Sequence, residues 1–550
     1  MQRNRYLAVQ GAYKMTEPFD ILITGARIID GTGNPYYRAD IGIRGGKIAS
    51  LAPDLSSISA ARVIDAAGRV AGPGFIDAHS HDDGYVLAEP TCRLKVRQGV
   101  TTTVVGNCGH SLAPSPKDKK NFLEKMSMMM GGRDLPEVFH RIDTFNDYLD
   151  AVEAAKPGIN VVPLIGHGTL RIAVMGYDNR PPAPDELERM KELTAEAMEA
   201  GAAGLSSGLI YIPGVYAQTA EVAELAKVAG KYHGIYTTHL RNEGSRQMEA
   251  IEEALSIGRA GGIAVHIAHH KIAGRLNWGM SERTLGRFHR ARSEGQEVTC
   301  DQYPYPAGST MLAAALPPAF AAGGPETYVE KLKDPAVRRE VIQMMESKDD
   351  SWQNLAGDAG FENIQISFST AYPDYQGRSI AEIAEGEDRS PYDVFFDLIV
   401  EEKTKVGMVV FMMDDFDIER IMADSVTMIG SDGIPSLGGS KTHPRMTGTF
   451  PRVLGRYVRE KGTLGLEAAV RKMTSLPAQT FRLRNKGLLK EGFDADLILF
   501  DPDTISDEGT YQDPFREPVG VAYVLVNGRI AVDGGRFIGT DSGRVLRRMP

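Results

Sequence analysis

Eight short apolar runs constrain this chain more than anything else in it. GFIDAHSH, VTTTVVGN, NVVPLIGHG, AAGLSSGL, GIYTTHLRN, AVHIAHHK, EVTCDQYPY and SVTMIGSDG each read as a strand. Helical patterns such as PDELERMKELTAEAMEAG, TAEVAELAKVAGK and SRQMEAIEEALSIGRAGG lie between many of them. Strands separated by helices pair in parallel, because a parallel partner needs a crossover of a dozen or more residues. Eight such units predict an α/β chain with a (β/α)8 TIM-like barrel.

The two ends of the chain have a different texture. DILITGARIIDG and ADIGIRGGKIASLAP at one end, and DADLILFDPD and VAYVLVNGRIAVDGG at the other, are strand-rich. Gly45-Gly46 and Asn527-Gly528 sit between such runs as hairpin signals. The expected arrangement is a small β-sandwich domain built from residues 19–73 and 486–541, attached to a barrel of residues 74–485. Residues 1–18 are polar and unpatterned and read as an extension. The strand–helix rhythm breaks at 306–406, a stretch too long for a plain loop, which is expected to carry its own structure as a lid.

Bulk properties narrow the function. A net charge of −10 argues against nucleic acid or an anionic membrane as partner, since phosphate binding needs concentrated Lys and Arg. No apolar run approaches the ~20 residues that span a bilayer, and the N-terminus lacks the apolar stretch of a secretory signal. Three cysteines in 550 residues are no disulfide framework. A cytoplasmic protein acting on a small molecule is the expectation.

In a barrel of this kind chemistry gathers where the C-terminal strand ends converge. The first run ends in His79-Ser80-His81, whose imidazoles share one strand face. The second ends in Asn107-Cys108, the fifth in His239, the sixth in His269-His270-Lys271 and the eighth in Asp432. Cys108 alone could be a core filler, a nucleophile, a redox thiol or a metal ligand. Imidazoles and a thiol at one end of one barrel form a metal-ligand inventory.

These motifs, with LIGHGTLR, GLSSGLIYIPG, DQYPYPAGST and HPRMTGTFPRVLGRYV, resemble the amidohydrolase superfamily, and within it the N-acyl-D-amino-acid deacylases (D-aminoacylases). The resemblance runs from about Phe19 to Phe537. It implies zinc-dependent hydrolysis of N-acyl-D-amino acids, with one tight zinc held by Cys108, His239 and His269. His79 and His81 match a pair that, with the same cysteine, can form a second, weaker metal position. Asp432 matches the catalytic aspartate, and Lys271, Tyr303 and Arg378 resemble groups that hold the substrate's α-carboxylate. The choice of His269 over His270 rests on the resemblance, helped by the parity His269 shares with Lys271.

Two other readings compete. One is a cyclic amidase of hydantoinase or dihydroorotase type, or another amidohydrolase such as a deaminase. Many of these bridge two metals with a carbamylated lysine on the fourth strand, whereas AAGLSSGL has no lysine. The other is a barrel that has lost catalysis, which would have no chemical need for Cys108, His239, His269 and Asp432 together.

Overall fold

The computed structural model describes residues 17–116, 123, 135–347, 349–436 and 440–548; most of the expected N-terminal extension lies outside them. All eight apolar runs form parallel strands: Phe75–Asp77, Val100–Val105, Asn160–Pro163 continued by Ile165–Gly166, Gly204–Gly208, Ile235–His239, Ala264–Ile267, Val298–Gln302 and Thr427–Ile429. The first three pair in sequence. The third continues into the fourth, and pairing runs on through the fifth, sixth, seventh and eighth. A parallel bridge between Ser80 and Gly433 joins the eighth strand to the first and closes the ring. The Asp432 N–H donates to the His79 carbonyl at 2.7 Å across that seam.

Helices Pro184–Ala200, Thr219–Lys231 and Gln247–Gly261 fall on the predicted patterns. Each turns an apolar stripe inward; Val222, Leu225, Ala226 and Ala229 of the second are buried at helical spacing. Strands covered on both faces show no in–out alternation of burial; every residue of Val100–Val105 is buried, its three threonines included.

Strands from both chain ends share one nine-stranded sheet. Its order runs from Arg536–Phe537 through Arg529–Asp533, Val521–Val526 and Leu497–Phe500 to Val70–Pro73, Phe19–Ile28, Tyr37–Arg44 and Lys47–Ala52, with the ninth strand, Ala60–Asp65, paired in parallel to Phe19–Ile28. Both hairpin signals form two-residue turns, with Arg44 opposite Lys47 and Val526 opposite Arg529. Asn527 and Gly528 adopt φ of +47° and +79°, the left-handed pair that such a turn requires. The sheet closes on its own core of Ile21, Ile23, Ile41, Ile43, Leu497, Leu499 and Leu525.

Residues 306–406 carry two strands and several helices. Ala307–Met311 and Ile364–Phe368 flank Gly407–Phe411 in a three-stranded antiparallel sheet. Among the described residues no helix is long and apolar enough to cross a membrane.

Candidate metal centre

The barrel brings its strand ends to one rim, and there the side chains meet. Cys108 Sγ lies 3.3 Å from His79 Nε2 and 3.3 Å from His269 Nε2. Asp432 Oδ1 is 3.5 Å from His79 Nε2 and 3.1 Å from His81 Nε2. His79, Cys108, His269 and Asp432 thus offer ligand atoms all within 4.8 Å of one another. His239, whose ring centre is 4.3 Å from that of His269, forms an overlapping group with His269 and Glu243. All of these side chains are buried except His81, which is half-buried.

Backbone geometry aims them. Cys108, His269 and Asp432 have φ of +52°, +34° and +48°, a region that non-glycine residues enter at a cost of order 1–3 kcal/mol each. The left-handed kink after Ile267 ends simple strand alternation, so His269 turns to the cluster and His270 away from it. His270 Nε2 meets Thr284 Oγ1 at 2.9 Å, and its ring packs on Phe288. Burial and the Lys271 charge hold His270 neutral, with its pKa down to about 3. Before Cys108 the chain needs a glycine, because a Cβ on Gly106 would sit 2.1 Å from the Leu164 carbonyl oxygen.

A second ring of charges fixes the first. Asp301 Oδ2 lies 3.2 Å from His79 Nδ1 and 2.7 Å from His266 Nε2, while Oδ1 accepts the His269 N–H at 3.0 Å. Burial opposes ionisation of Asp301, yet the two imidazoles hold its pKa below the usual carboxylate range. An ionised carboxylate can only accept, so His79 Nδ1 carries a proton. The Asp301 and Cys108 charges hold the His79 pKa well above its ordinary value against its burial, and Nε2–H donates toward Cys108 Sγ. On the seam between the first and eighth strands Asp77 accepts from Lys95, from the Ser431 hydroxyl and from the Ser431 N–H, at 2.7, 2.6 and 2.8 Å. That buried network binds the strand bearing His79 to the strand bearing Asp432.

Electrostatics favour a thiolate. Burial would raise the Cys108 pKa, but the imidazoles of His79 and His269 outweigh it and hold the thiol well below its ordinary value. Asp432 is likewise ionised against its burial, mainly by Arg445. His239 Nε2 stands 3.4 Å from Glu243 Oε2, and neither ring nitrogen makes a well-formed hydrogen bond. Buried nitrogens so placed are costly unless a further group satisfies them. A soft thiolate, imidazoles and one carboxylate are a donor set suited to zinc.

The expected carboxylate-holding residues divide. Lys271 Nζ stands 2.5 Å from Glu243 Oε1 and 2.7 Å from His269 Nδ1, and lies 5.7 Å from the ring centre of Tyr303. Arg378 is not brought to the cluster. It precedes the capping box of Ser379 and Glu382 at a helix start, donates to the Glu382 carbonyl and lies over the Tyr375 ring. The guanidinium at the site belongs to Arg445: Nη1 is 2.8 Å from Asp432 Oδ2, and Cζ is 4.6 Å from the Tyr303 ring centre. Glu243, Asp301 and Arg445 went unassigned in the sequence, although each lies inside a motif (TTHLRNE, DQYPY, HPRMTG) that ends or follows a barrel strand. The available signal was a charged residue within an otherwise buried stretch.

Comparison with known proteins agrees with this picture. Residues 62–532 match the model of an amidohydrolase family. The chain is 39% identical to a D-aminoacylase of Alcaligenes xylosoxydans xylosoxydans, over 97% of this chain and 98% of that one. Its fold superposes with a TM-score of 0.81 and 38% identity on the N-acyl-D-glutamate deacylase of Bordetella bronchiseptica, solved with zinc and a phosphonate mimic of the tetrahedral intermediate; the match covers 96% of this chain and 100% of that one. A more distant likeness, at 17% identity and a TM-score of 0.56, is to the L-hydantoinase of Arthrobacter aurescens, over 96% of this chain and 100% of that one, and concerns the fold alone. The chain belongs to the amidohydrolase family, in its D-aminoacylase branch.

Proposed function

We propose that this protein is a zinc-dependent N-acyl-D-amino-acid deacylase, cleaving a linear amide to a carboxylate and a free D-amino acid. One observation carries the reading: a thiolate, two imidazoles and a carboxylate converge at one barrel mouth with Lys271 and Arg445 beside them. Cys108, His239 and His269 would hold the tight metal, with His79 and His81 available to a second ion. A bound zinc would polarise the amide carbonyl and lower the pKa of a water, its usual contributions to hydrolysis.

The chain's own groups do the rest. Asp432 takes the proton from the attacking water at its carboxylate and returns it to the amide nitrogen as the C–N bond breaks; an amine leaves poorly without that proton. Lys271, Tyr303 and Arg445 form the clamp for the substrate's α-carboxylate, Arg445 supplying a planar fork that suits a carboxylate. When that carboxylate engages Arg445, the pull on Asp432 weakens and its basicity rises.

A cyclic amidase is disfavoured because the fourth strand, Gly204–Gly208, reads GLSSG and offers no lysine to bridge two ions. The distinguishing experiment sets N-acetyl-D-amino acids beside hydantoins and dihydroorotate on the metal-loaded enzyme. Hydrolysis of the linear amides alone is expected; preference for the cyclic substrates would overturn the assignment.

A further inference from the structure

His443 stands two residues ahead of Arg445, at the entry to the helix Arg445–Arg452, and is 2% exposed. Both of its ring nitrogens are engaged. Nδ1 accepts the Arg445 backbone N–H at 3.0 Å, and Nε2 lies 2.9 Å from the Ala307 carbonyl oxygen. A backbone N–H only donates and a carbonyl only accepts, so the ring proton sits on Nε2 and Nδ1 is bare. That single neutral tautomer satisfies both contacts, whereas an imidazolium would set a proton on Nδ1 against the Arg445 N–H. Burial and the Arg445 charge hold the His443 pKa well below the ordinary imidazole value, which keeps the ring in this form. Aromatic neighbours fix it in place. The rings of Tyr305 and Tyr511 are centred 5.0 and 5.1 Å away, each T-shaped to the imidazole.

The far end of this link is the 306–406 insertion. Ala307 opens its strand Ala307–Met311, and the Ser309 carbonyl of the same strand accepts from Arg445 Nη2 at 3.1 Å. One strand therefore holds Arg445 at both ends: by its tip at Ser309 and, through His443, by its backbone at Ala307. Between those anchors the guanidinium lies over Tyr303 and pairs with Asp432. Its Nε has no hydrogen-bond partner among the described residues, which leaves a donor over for a ligand. A long arginine side chain loses much rotamer freedom when it grips a ligand. Held at both ends beforehand, it has less left to lose, and the ligand binds more tightly for that reason.

We infer that His443 is a positioning residue for the carboxylate clamp: its two ring nitrogens tie the helix start at Arg445 to the insertion strand and so preset the guanidinium for a substrate carboxylate. This rests on the deacylase reading above, in which Arg445 binds the α-carboxylate.

The test compares His443→Leu and His443→Asn with the wild-type, metal-loaded enzyme. Its substrate is whichever of N-acetyl-D-methionine, N-acetyl-D-glutamate and N-acetyl-D-aspartate turns over best, and the corresponding free D-amino acid serves as inhibitor. Leucine removes both contacts. KM should rise roughly 3- to 10-fold, the worth of one net hydrogen bond. The inhibition constant of the free D-amino acid, which carries the carboxylate without the amide, should rise by the same factor. Zinc content should hold, and kcat should stay within about twofold, since lost binding common to ground and transition states appears in KM. Asparagine can still accept the N–H two residues on, as Asx turns do, and should recover part of the loss. If the leucine protein does not fold, the asparagine protein decides the matter by the same split between KM and kcat. An unmoved KM and inhibition constant, or a fall in kcat alone, would overturn the inference and leave the deacylase reading standing. A wild-type protein that hydrolyses no N-acyl-D-amino acid would defeat that reading, and this inference with it.

Discussion

Arg445 Nη1 lies 2.8 Å from Asp432 Oδ2, a buried ion pair between the candidate base and the candidate carboxylate clamp. Arg445 is the leading favourable influence that keeps Asp432 ionised against its burial. Replacing it with methionine should raise KM and lower kcat/KM by roughly 30-fold or more, since losing one partner of a buried charged pair costs about 2–5 kcal/mol. It should also move the acidic limb of the pH–kcat/KM profile upward: the carboxylate pKa rises, so its active ionised form is lost at higher pH. Arg378→Ala, distant from the cluster in its contacts, should change neither. Steady-state kinetics across pH checks both.

Asp432→Asn separates metal binding from proton transfer. The amide keeps the side chain's size but cannot take the proton from water. Zinc content should persist while kcat falls by about 10²–10⁴, the range typical of a lost general acid–base group. Cys108→Ala should do the reverse and lose the tight metal first. Metal analysis of purified variants beside their turnover distinguishes these outcomes; wild-type kcat in the Asp432→Asn protein would remove Asp432 from its role.

Asp301 is a positioning residue in this account, acting through His79 and the His269 backbone. Asp301→Ala should weaken metal affinity by about 10- to 100-fold, the usual consequence of removing a carboxylate behind a ligating histidine. Asp301→Asn, which can still accept one hydrogen bond, should recover part of that loss. Competition against a graded chelator measures affinity directly and does not depend on activity.

The architecture was legible because its signals are local and repeated. Eight apolar runs and three long helical patterns became the elements they resemble, and Asn527-Gly528 formed the turn its chemistry demands. Cys108, His239, His269 and Asp432 could be picked out as candidates because each lies at or just beyond the end of a barrel strand. What escaped was long-range. Arg445 follows Asp432 by 13 residues in the chain and returns through a segment with no strand pattern, so nothing local tied it to Tyr303. Arg378 lay in an equally cation-bearing stretch, but its helix start turned it elsewhere. The left-handed backbone at Cys108, His269 and Asp432 has no sequence signature beyond the glycines beside Cys108 and Asp432.

Asp358, in the helix Leu355–Ala359 of the insertion, gives a stability prediction that does not depend on the metal. Burial pushes its pKa up to about 6, with only partial relief from Gln353. The folded state therefore holds a proton that the unfolded chain releases near pH 4. Between about pH 4 and 6 rising pH removes stability, and above pH 6 a poorly solvated charge remains. Asp358→Asn should raise stability at pH 7.5 by roughly 1–2 kcal/mol, discounting for its partial exposure, with the two proteins converging near pH 4. Thermal unfolding midpoints at the two pH values test this.

The most direct measurement of the central claim is hydrolysis of N-acetyl-D-methionine, N-acetyl-D-glutamate and N-acetyl-D-aspartate beside their L-enantiomers, with zinc removed and then restored. The account predicts turnover of at least one D-substrate, no comparable turnover of its L-form, loss of activity on zinc removal and recovery on its return. Activity confined to the L-forms, or undiminished without metal, would contradict it.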